Sequence, residues 1–388
     1  MRKVVLLIGV VLMSLAASAQ NKGLDGAQQS KPQHKGPHPV RFKQISRSMP
    51  KEWYATDEAM AAADSVIKFQ FPSGGWGKNH DWHVAPEGKR VKERQEIWEQ
   101  IHSKSGVGAT IDNGATTTEM LLLAKVYSAT GKKKYRQSFI KGLNYLLEAQ
   151  YENGGWPQFY PFKPANKEGH PFYSNHITFN DDAMYAVMTT LRNVYDDKEP
   201  YVGLKLPADL KDKARAAYAK GIDCILKCQI RKDGKLTVWC QQHDENTFAP
   251  APARSFELVS FTGSHETPNL IKLLMNEENP SDEVVNAVTS AIEWLERHAI
   301  NDMMIEEFTN KDGEYDRRLV HRFGKRVWAR YYDLDTEEPF VCDRDGVKQP
   351  AMEYIGRERR VGYAWYGVNA EDVIKKYKTW LKKVSEKK

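Results

Sequence analysis

Two short polar stretches hold the residue types that metal and acid–base chemistry requires. They are Thr110-Ile111-Asp112-Asn113-Gly114-Ala115-Thr116 and Thr178-Phe179-Asn180-Asp181-Asp182-Ala183-Met184. Each sets adjacent oxygen-bearing side chains at the start of a helical pattern. Such residues cap helix N-termini, and they are also the oxygen donors that hard cations take. A third stretch, Trp239-Cys240-Gln241-Gln242-His243-Asp244, offers an acid–base pair or simply a hydrogen-bonded loop. It leads to Ala253-Arg254-Ser255-Phe256-Glu257. Arg330 alternates with apolar residues in Trp328–Asp333, as on a strand, and Arg344 lies in the turn-forming Asp343-Arg344-Asp345-Gly346. Single arginines commonly make surface salt bridges. Three in such settings also suit bidentate capture of carboxylates. Lys78, just after a glycine-rich turn, is a further candidate anion contact. The chain has no G-x-x-x-x-G-K-[ST], H-E-x-x-H or G-x-S-x-G, which argues against nucleotide, zinc-protease and serine-hydrolase chemistry.

The elements that must position these residues show an internal repeat. Gln70-Phe71-Pro72-Ser73-Gly74-Gly75-Trp76 returns as Gln150-Tyr151-Glu152-Asn153-Gly154-Gly155-Trp156, 80 residues later. A weaker copy begins at Gln229 and is followed by Trp239. The structural reading is that glycine turns the chain, Trp packs between helices and Gln caps backbone. Trp76 and Trp156 are also candidates for stacking on sugar faces. Apolar residues at helical spacing predict paired helices over Thr116–Gly131 and Tyr135–Leu147, Met184–Val194 and Leu210–Leu226, and Leu270–Met275 and Val284–Leu295. A helical hairpin cannot bury its apolar face alone, so such units stack on one another. Three of them favour closure into an all-α (α/α)3 toroid, with a few short strands near Val327–Val341. Repeat symmetry then puts both acidic loops at one mouth of the ring, where a calcium site is plausible.

Residues 1–19, with Arg2, Lys3, an apolar run and Ala17-Ser18-Ala19, read as a cleaved signal peptide. Residues 20–49 read as a flexible linker and 50–388 as one catalytic domain. The protein is therefore expected to be exported, periplasmic or secreted. The formal charge is +6, and 11% of the residues are aromatic. That pairing fits anionic or sugar-like ligands, and export argues against nucleic acid. No segment after the leader is apolar enough to span a membrane. Cys224, Cys228, Cys240 and Cys342 read as buried thiols. The Lys-rich end, 375–388, reads as a solvated helix face.

These motifs resemble the pectate lyases of polysaccharide lyase family 10. The resemblance runs from about residue 50 to 368. It rests on G-G-W-x-K-N, T-I-D-N-G-A-T, Q-x-x-x-G-G-W-P-Q-x-Y-P, I-T-F-N-D-D-A-M, W-C-Q-Q-H-D with A-R-x-F-E, W-A-R-Y-Y-D and R-D-G. It implies an (α/α)3 toroid acting on the polygalacturonate (pectate) chain by calcium-assisted β-elimination; separately, the chain is expected to be a monomer. Carried over by motif, Asp181, Asn113 and Asp112 lie around Ca2+ and the substrate carboxylate. Arg254 and Arg330 bind galacturonate carboxylates. Asp112 thus also counts as a substrate contact, and Arg344 takes the C5 proton; Lys78 and Trp156, read from the residues themselves, are the further expected substrate contacts. Two places depart from the family pattern, Phe261–Thr267 and Val341-Cys342-Asp343.

The C5 proton is α to a carboxylate, so its removal builds an enediolate dianion that cations stabilise. Arginine is a weak base, with an ordinary pKa of about 12.5–13.8. Arg344 therefore needs an alkaline medium or a depressed pKa, and otherwise water is the base. An alkaline optimum follows. The rival readings are a toroid glycoside hydrolase using paired Asp, a terpene-cyclase-like toroid and a non-catalytic pectin-binding protein. The second is disfavoured by export and by the lack of a D-x-D-D motif.

Overall fold

The structure is a computed structural model, and it describes residues 40–103, 106–163 and 173–387. The leader and the linker up to residue 39 lie outside the described residues. The linker expected to continue to residue 49 does not. Phe42–Ser48 is a helix, α1, because Phe42 and Ile45, three apart, both bury in the core. It is followed by α2 (Asp57–Lys68) and α3 (Lys89–Ile101). Three hairpins come next. They are α4 (Thr117–Thr130) with α5 (Lys133–Glu148), α6 (Ala183–Tyr195) with α7 (Ala208–Cys228), and α8 (Glu266–Met275) with α9 (Asp282–Arg297). A short α10 (Arg357–Gly362) and a long α11 (Asn369–Lys387) end the described chain.

The hairpins form two layers. Helices α4, α6 and α8 pack side by side as an inner layer, with α2 against α4; α5, α7 and α9 form the outer layer, and α11 packs on α8 and α9. This is the helical toroid expected from the repeat. The strands are mostly two to four residues long, with one exception absent from the sequence reading. Ile300–Thr309 and Tyr315–Ala329 form an extended antiparallel hairpin. Much of it is only half-buried, so its side chains show little inside–outside alternation to reveal it. All four cysteines are free and buried.

The repeat motif forms one backbone clamp, built three times. Gln70, Gln150 and Gln229 each donate through Nε2 to two carbonyls. One is in their own turn (Gly74, Gly154, Thr237) and one is in the following outer helix (Ser138, Ala217, Ala287), all at 2.7–3.0 Å. Trp76, Trp156 and Trp239 each donate their indole N–H at 2.7 Å to the last turn of the preceding helix, at Val66, Leu146 and Ile225. Trp328 repeats this a fourth time on Leu295, also at 2.7 Å. Gly74 and Gly154 have φ of +103° and +93°, and a Cβ there would strike the carbonyls of Lys141 and Lys220. Glycine is required on both counts. The structural reading of Q-x-x-x-G-G-W is correct, and the sugar-stacking role for Trp156 is not. Trp156 has no exposed surface because both ring faces are packed in the core, as are those of Trp76.

Candidate active site

The clamps also place the chemistry. The backbone carbonyls of Trp76, Trp156 and Trp239 accept the N–H groups of Thr110, Thr178 and Thr262 at 2.8–3.0 Å. Two residues after each Thr begins a polar turn leading into an inner helix. The turns are Asp112–Gly114 before α4, Asn180–Asp182 before α6, and Ser264–Glu266 at the start of α8. The first two turns pack against each other, and the second packs on α8. Asn113, Asp181 and Asp182 hold left-handed backbone at φ of +56°, +49° and +62°. Asn and Asp tolerate this region best among residues with a side chain. Thr116 is in the same φ range at +65°, unusual for a β-branched residue. Its hydroxyl accepts from Trp76 N and donates to Thr110 O, which fixes the turn.

The Asn113 and Asp181 turns converge with the expected cations. Lys78 is ion-paired to one oxygen of Asp112, which is 3% exposed. The other oxygen, Oδ1, is buried with no hydrogen-bond partner. Burial raises the Asp112 carboxyl above its ordinary value, against the pull of Lys78. Asn113 donates to Asn79 at 3.2 Å. Arg330 is 3% exposed and donates through one nitrogen to Glu266 (2.5 Å), Asp181 (3.0 Å) and Asn180 (3.1 Å). Burial alone would push Asp181 up, but Arg330, helped by Arg254, holds it below its ordinary value, so it stays ionised. Asp182, facing Glu266 and Asp181, is pushed by burial up to about 6.

A second group of residues binds the arginines together. Arg254 forks onto Glu257, with Nε at 2.7 Å. Tyr363 donates its hydroxyl to the same carboxylate at 3.1 Å and lies with its ring 4.5 Å below the Arg330 guanidinium. Gln241 donates to the Tyr363 hydroxyl at 3.2 Å and to Asn180 at 2.6 Å. One tyrosine thus connects both carboxylate-binding arginines and the acidic loop. The sequence reading missed Glu266 and Tyr363. The signal for Glu266 was available: Thr262-Gly263-Ser264-His265-Glu266 is the third copy of the Thr-led turn, and its acid starts the third inner helix. Tyr363 carries no such signal, because it comes from a non-repeating segment.

Arg344 stands apart from this buried group. Its side chain is 62% exposed and pairs with Glu358 at 2.9 and 3.1 Å. That pair raises its pKa above the ordinary value. Its turn is pinned by Ser255, next to Arg254, whose hydroxyl donates to the Arg344 carbonyl at 2.8 Å. Arg254, Arg344 and Arg359 all lie around the Phe256 ring at 4.6–5.8 Å. His243 has a structural role. Its ring donates to Phe248 O and accepts from Cys240 N, and burial lowers its pKa to about 4, so it is neutral. The ring bridges two backbone groups and is not part of an acid–base pair with Asp244.

The donor set suits a hard cation. The Asp112–Gly114 and Asn180–Asp182 turns offer oxygen ligands, among them the buried and unpartnered Asp112 Oδ1, and the Asp181 side chain is 30% exposed. Asp112, Asn113 and Asp181 are the residues that would hold it.

The chain matches the pectic acid lyase family model over residues 70–374. It also resembles two solved structures of a family 10 polysaccharide lyase from Cellvibrio cellulosa, each at 31% identity and a TM-score of 0.70 over 87% of this chain. One, covered over 95% of its length, is an aspartate-to-alanine mutant in complex with trigalacturonic acid; the other is covered over 94%. No curated protein matches.

Proposed function

Because the chain belongs to the pectic acid lyase family and is therefore a polysaccharide lyase, we propose that it cleaves α-1,4-linked polygalacturonate by calcium-assisted β-elimination, releasing 4,5-unsaturated oligogalacturonides. The observation that carries this reading is the juxtaposition of ionised Asp181 and half-satisfied Asp112 with the fixed Arg330. A partly exposed Asp181 carboxylate and the buried, unpartnered Asp112 Oδ1 lie in turns packed on each other, with Asp181 beside a guanidinium whose position is set before substrate arrives. Bound Ca2+ would supply Lewis-acid stabilisation of the charge that develops on the substrate carboxylate.

The chain's own residues supply the rest. Arg330 cannot swing away, since Glu266 and Tyr363 hold it from two sides. It is preorganised to meet charge on the C5 enediolate, with no reorganisation at the moment of reaction. Arg254 meets a neighbouring carboxylate with its half-exposed outer side while Glu257 holds its inner side. Arg344 exchanges Glu358 for the sugar and removes the C5 proton. In the free protein Glu358 keeps Arg344 firmly protonated, so deprotonation needs loss of that pair together with nearby Arg254 and an alkaline medium. An alkaline optimum follows.

Polygalacturonate incubated with the protein should develop the ultraviolet absorbance of a 4,5-unsaturated product, and chelator should abolish it. New reducing ends without that absorbance would instead establish hydrolysis, and binding without either product would establish a pectin-binding protein.

A further inference from the structure

Away from the cleft arginines, His176, Asp244 and Glu245 each offer one ligand atom, and the three atoms lie within 4.8 Å of one another. We propose that these residues bind a borderline divalent transition-metal ion, with Zn2+ as the reference case, which staples the Ile177–Thr178 strand to the turn after His243. The site is separate from the oxygen donors of the cleft and does not depend on the reading of the reaction.

The backbone explains how the three residues meet. Ile177 pairs with His243 in an antiparallel ladder, so His176 and Asp244 are the next positions out on facing strands. Asp244 is fixed before any ion arrives. Its Oδ1 accepts from Asn246 N, Thr247 N and the Thr247 hydroxyl at 2.8–3.0 Å, leaving Oδ2 for a ligand. His176 Nδ1 lies 2.8 Å from Glu245 Oε2. Glu245 is anchored by its main chain, since Asn153 of the second glycine turn donates to its carbonyl at 2.6 Å.

Charge supplies an independent argument. The cleft acids Asp112, Asp181, Glu266 and Glu257 each pair with a Lys or Arg. Among the described residues Asp244 and Glu245 pair with neither, and His176 is their one basic partner. Two adjacent carboxylates therefore face one imidazole, with no Lys or Arg at ion-pair distance among the described residues. A divalent ion supplies further positive charge. Zinc sits about 2.0–2.2 Å from His nitrogen and carboxylate oxygen and holds them tetrahedrally, so its ligand atoms lie roughly 3.3–3.6 Å apart. Binding would draw the three side chains in to that size. One imidazole with two carboxylates favours Zn2+ or Mn2+ over Ca2+, which prefers oxygen throughout. Three protein ligands leave room for water.

The ladder gives the ion a structural consequence. From His176 it runs inward through Phe179, whose N–H donates to Gln241 O, to Asn180 and Asp181. The metal would fix the outer end of the element whose inner end carries the cleft acids.

Chelator-treated full-length protein should take up one equivalent of Zn2+ by calorimetry, and saturating Zn2+ should raise Tm. His176→Ala and Glu245→Gln should each raise the zinc Kd by roughly 100-fold, in the range for disturbed ligand shells. Both should keep the wild-type Tm in chelator, and Asp181→Asn should bind zinc as wild type does. The Co2+ form should lack a thiolate charge-transfer band. No heat of binding would leave His176 and Glu245 as a hydrogen-bonded pair only and would overturn the proposal. Binding indifferent to both substitutions, or a thiolate band, would overturn it equally.

Discussion

Arg330 and Arg344 are both expected to act on the same sugar, yet their surroundings are opposite. Arg330 is buried, shares one nitrogen among Glu266, Asp181 and Asn180, and rests on an aromatic ring. Arg344 is 62% exposed and holds one partner, Glu358, which is exposed to the same degree. An exposed ion pair is screened by water and contributes little, so a substrate can displace Glu358 at small cost. Removing one partner of a buried pair costs about 3–5 kcal/mol, so nothing displaces Arg330. Stabilising developing charge needs a group that does not move, and proton transfer needs one that can change partner. The two arginines divide along that line.

The largest effect should come from breaking the buried side. Arg330→Ala leaves Glu266 buried without its cation and should lower stability by about 3–5 kcal/mol in denaturant titrations, with loss of lyase activity. A variant with wild-type stability would mean that Arg330 is not the fixed partner described above. Arg344→Ala should do the reverse. It should cut kcat by about 100-fold or more, in the range of general acid–base catalysis, at unchanged Tm. If Tm fell as well, the exposed region would be structural.

A pH measurement separates the two regions further. Glu119, in the first turn of α4, is fully buried; its Oε1 accepts from Trp82 at 2.8 Å, and its Oε2 has no partner. Burial raises its pKa from 4.5 to about 7. The folded protein then holds a proton that the unfolded chain releases, so stability should decline as pH rises from about 4.5 to 7 and level off above, by up to about 3 kcal/mol. Glu119→Gln should remove its share of that slope and leave the smaller decline that Asp182, raised to about 6, contributes at lower pH. Glu358 is held down at about 2, first by Arg359 and then by Arg344, so Glu358→Gln should leave the slope intact. Thermal melts across this pH range decide it.

The smallest effect should come from the connection between the arginines. Tyr363→Phe keeps the ring beneath Arg330 and removes the hydroxyl that reaches Glu257. The expected loss is about tenfold in kcat/KM, near the lower end of the roughly 1.5–3 kcal/mol of one hydrogen bond to a charged group. On the proposed reading Arg254 would meet a substrate carboxylate in ground and transition states alike, so KM should carry the loss. A loss confined to kcat would place Tyr363 nearer the reacting atoms.

Much of the fold was legible because helical periodicity and the Q-x-x-x-G-G-W repeat are local signals. The glycines are needed by φ and by close carbonyls, and the glutamines and tryptophans bond backbone groups a fixed interval away. The same repetition marked Asp112, Asn113 and Asp181, since each turn follows a Thr tied to a clamp. Trp156 was misread because an aromatic ring has the same appearance in sequence whether it faces a sugar or a helix. The Phe42–Ser48 helix was missed because about two turns with two apolar residues are too short a pattern to stand out from their polar neighbours.

The amino-acid sequence by itself determined the hairpin repeat, the common mouth of the acidic turns and the kinds of group gathered there. Those follow from spacing along one chain. Only the tertiary structure decided that Glu266 and Tyr363 fix Arg330 while Arg344 stays exposed. It also decided that Trp156 belongs to the core. Those outcomes depend on burial and on contacts between residues as far as 150 positions apart, and burial sets both the cost of moving a charge and the strength of the bonds that hold it.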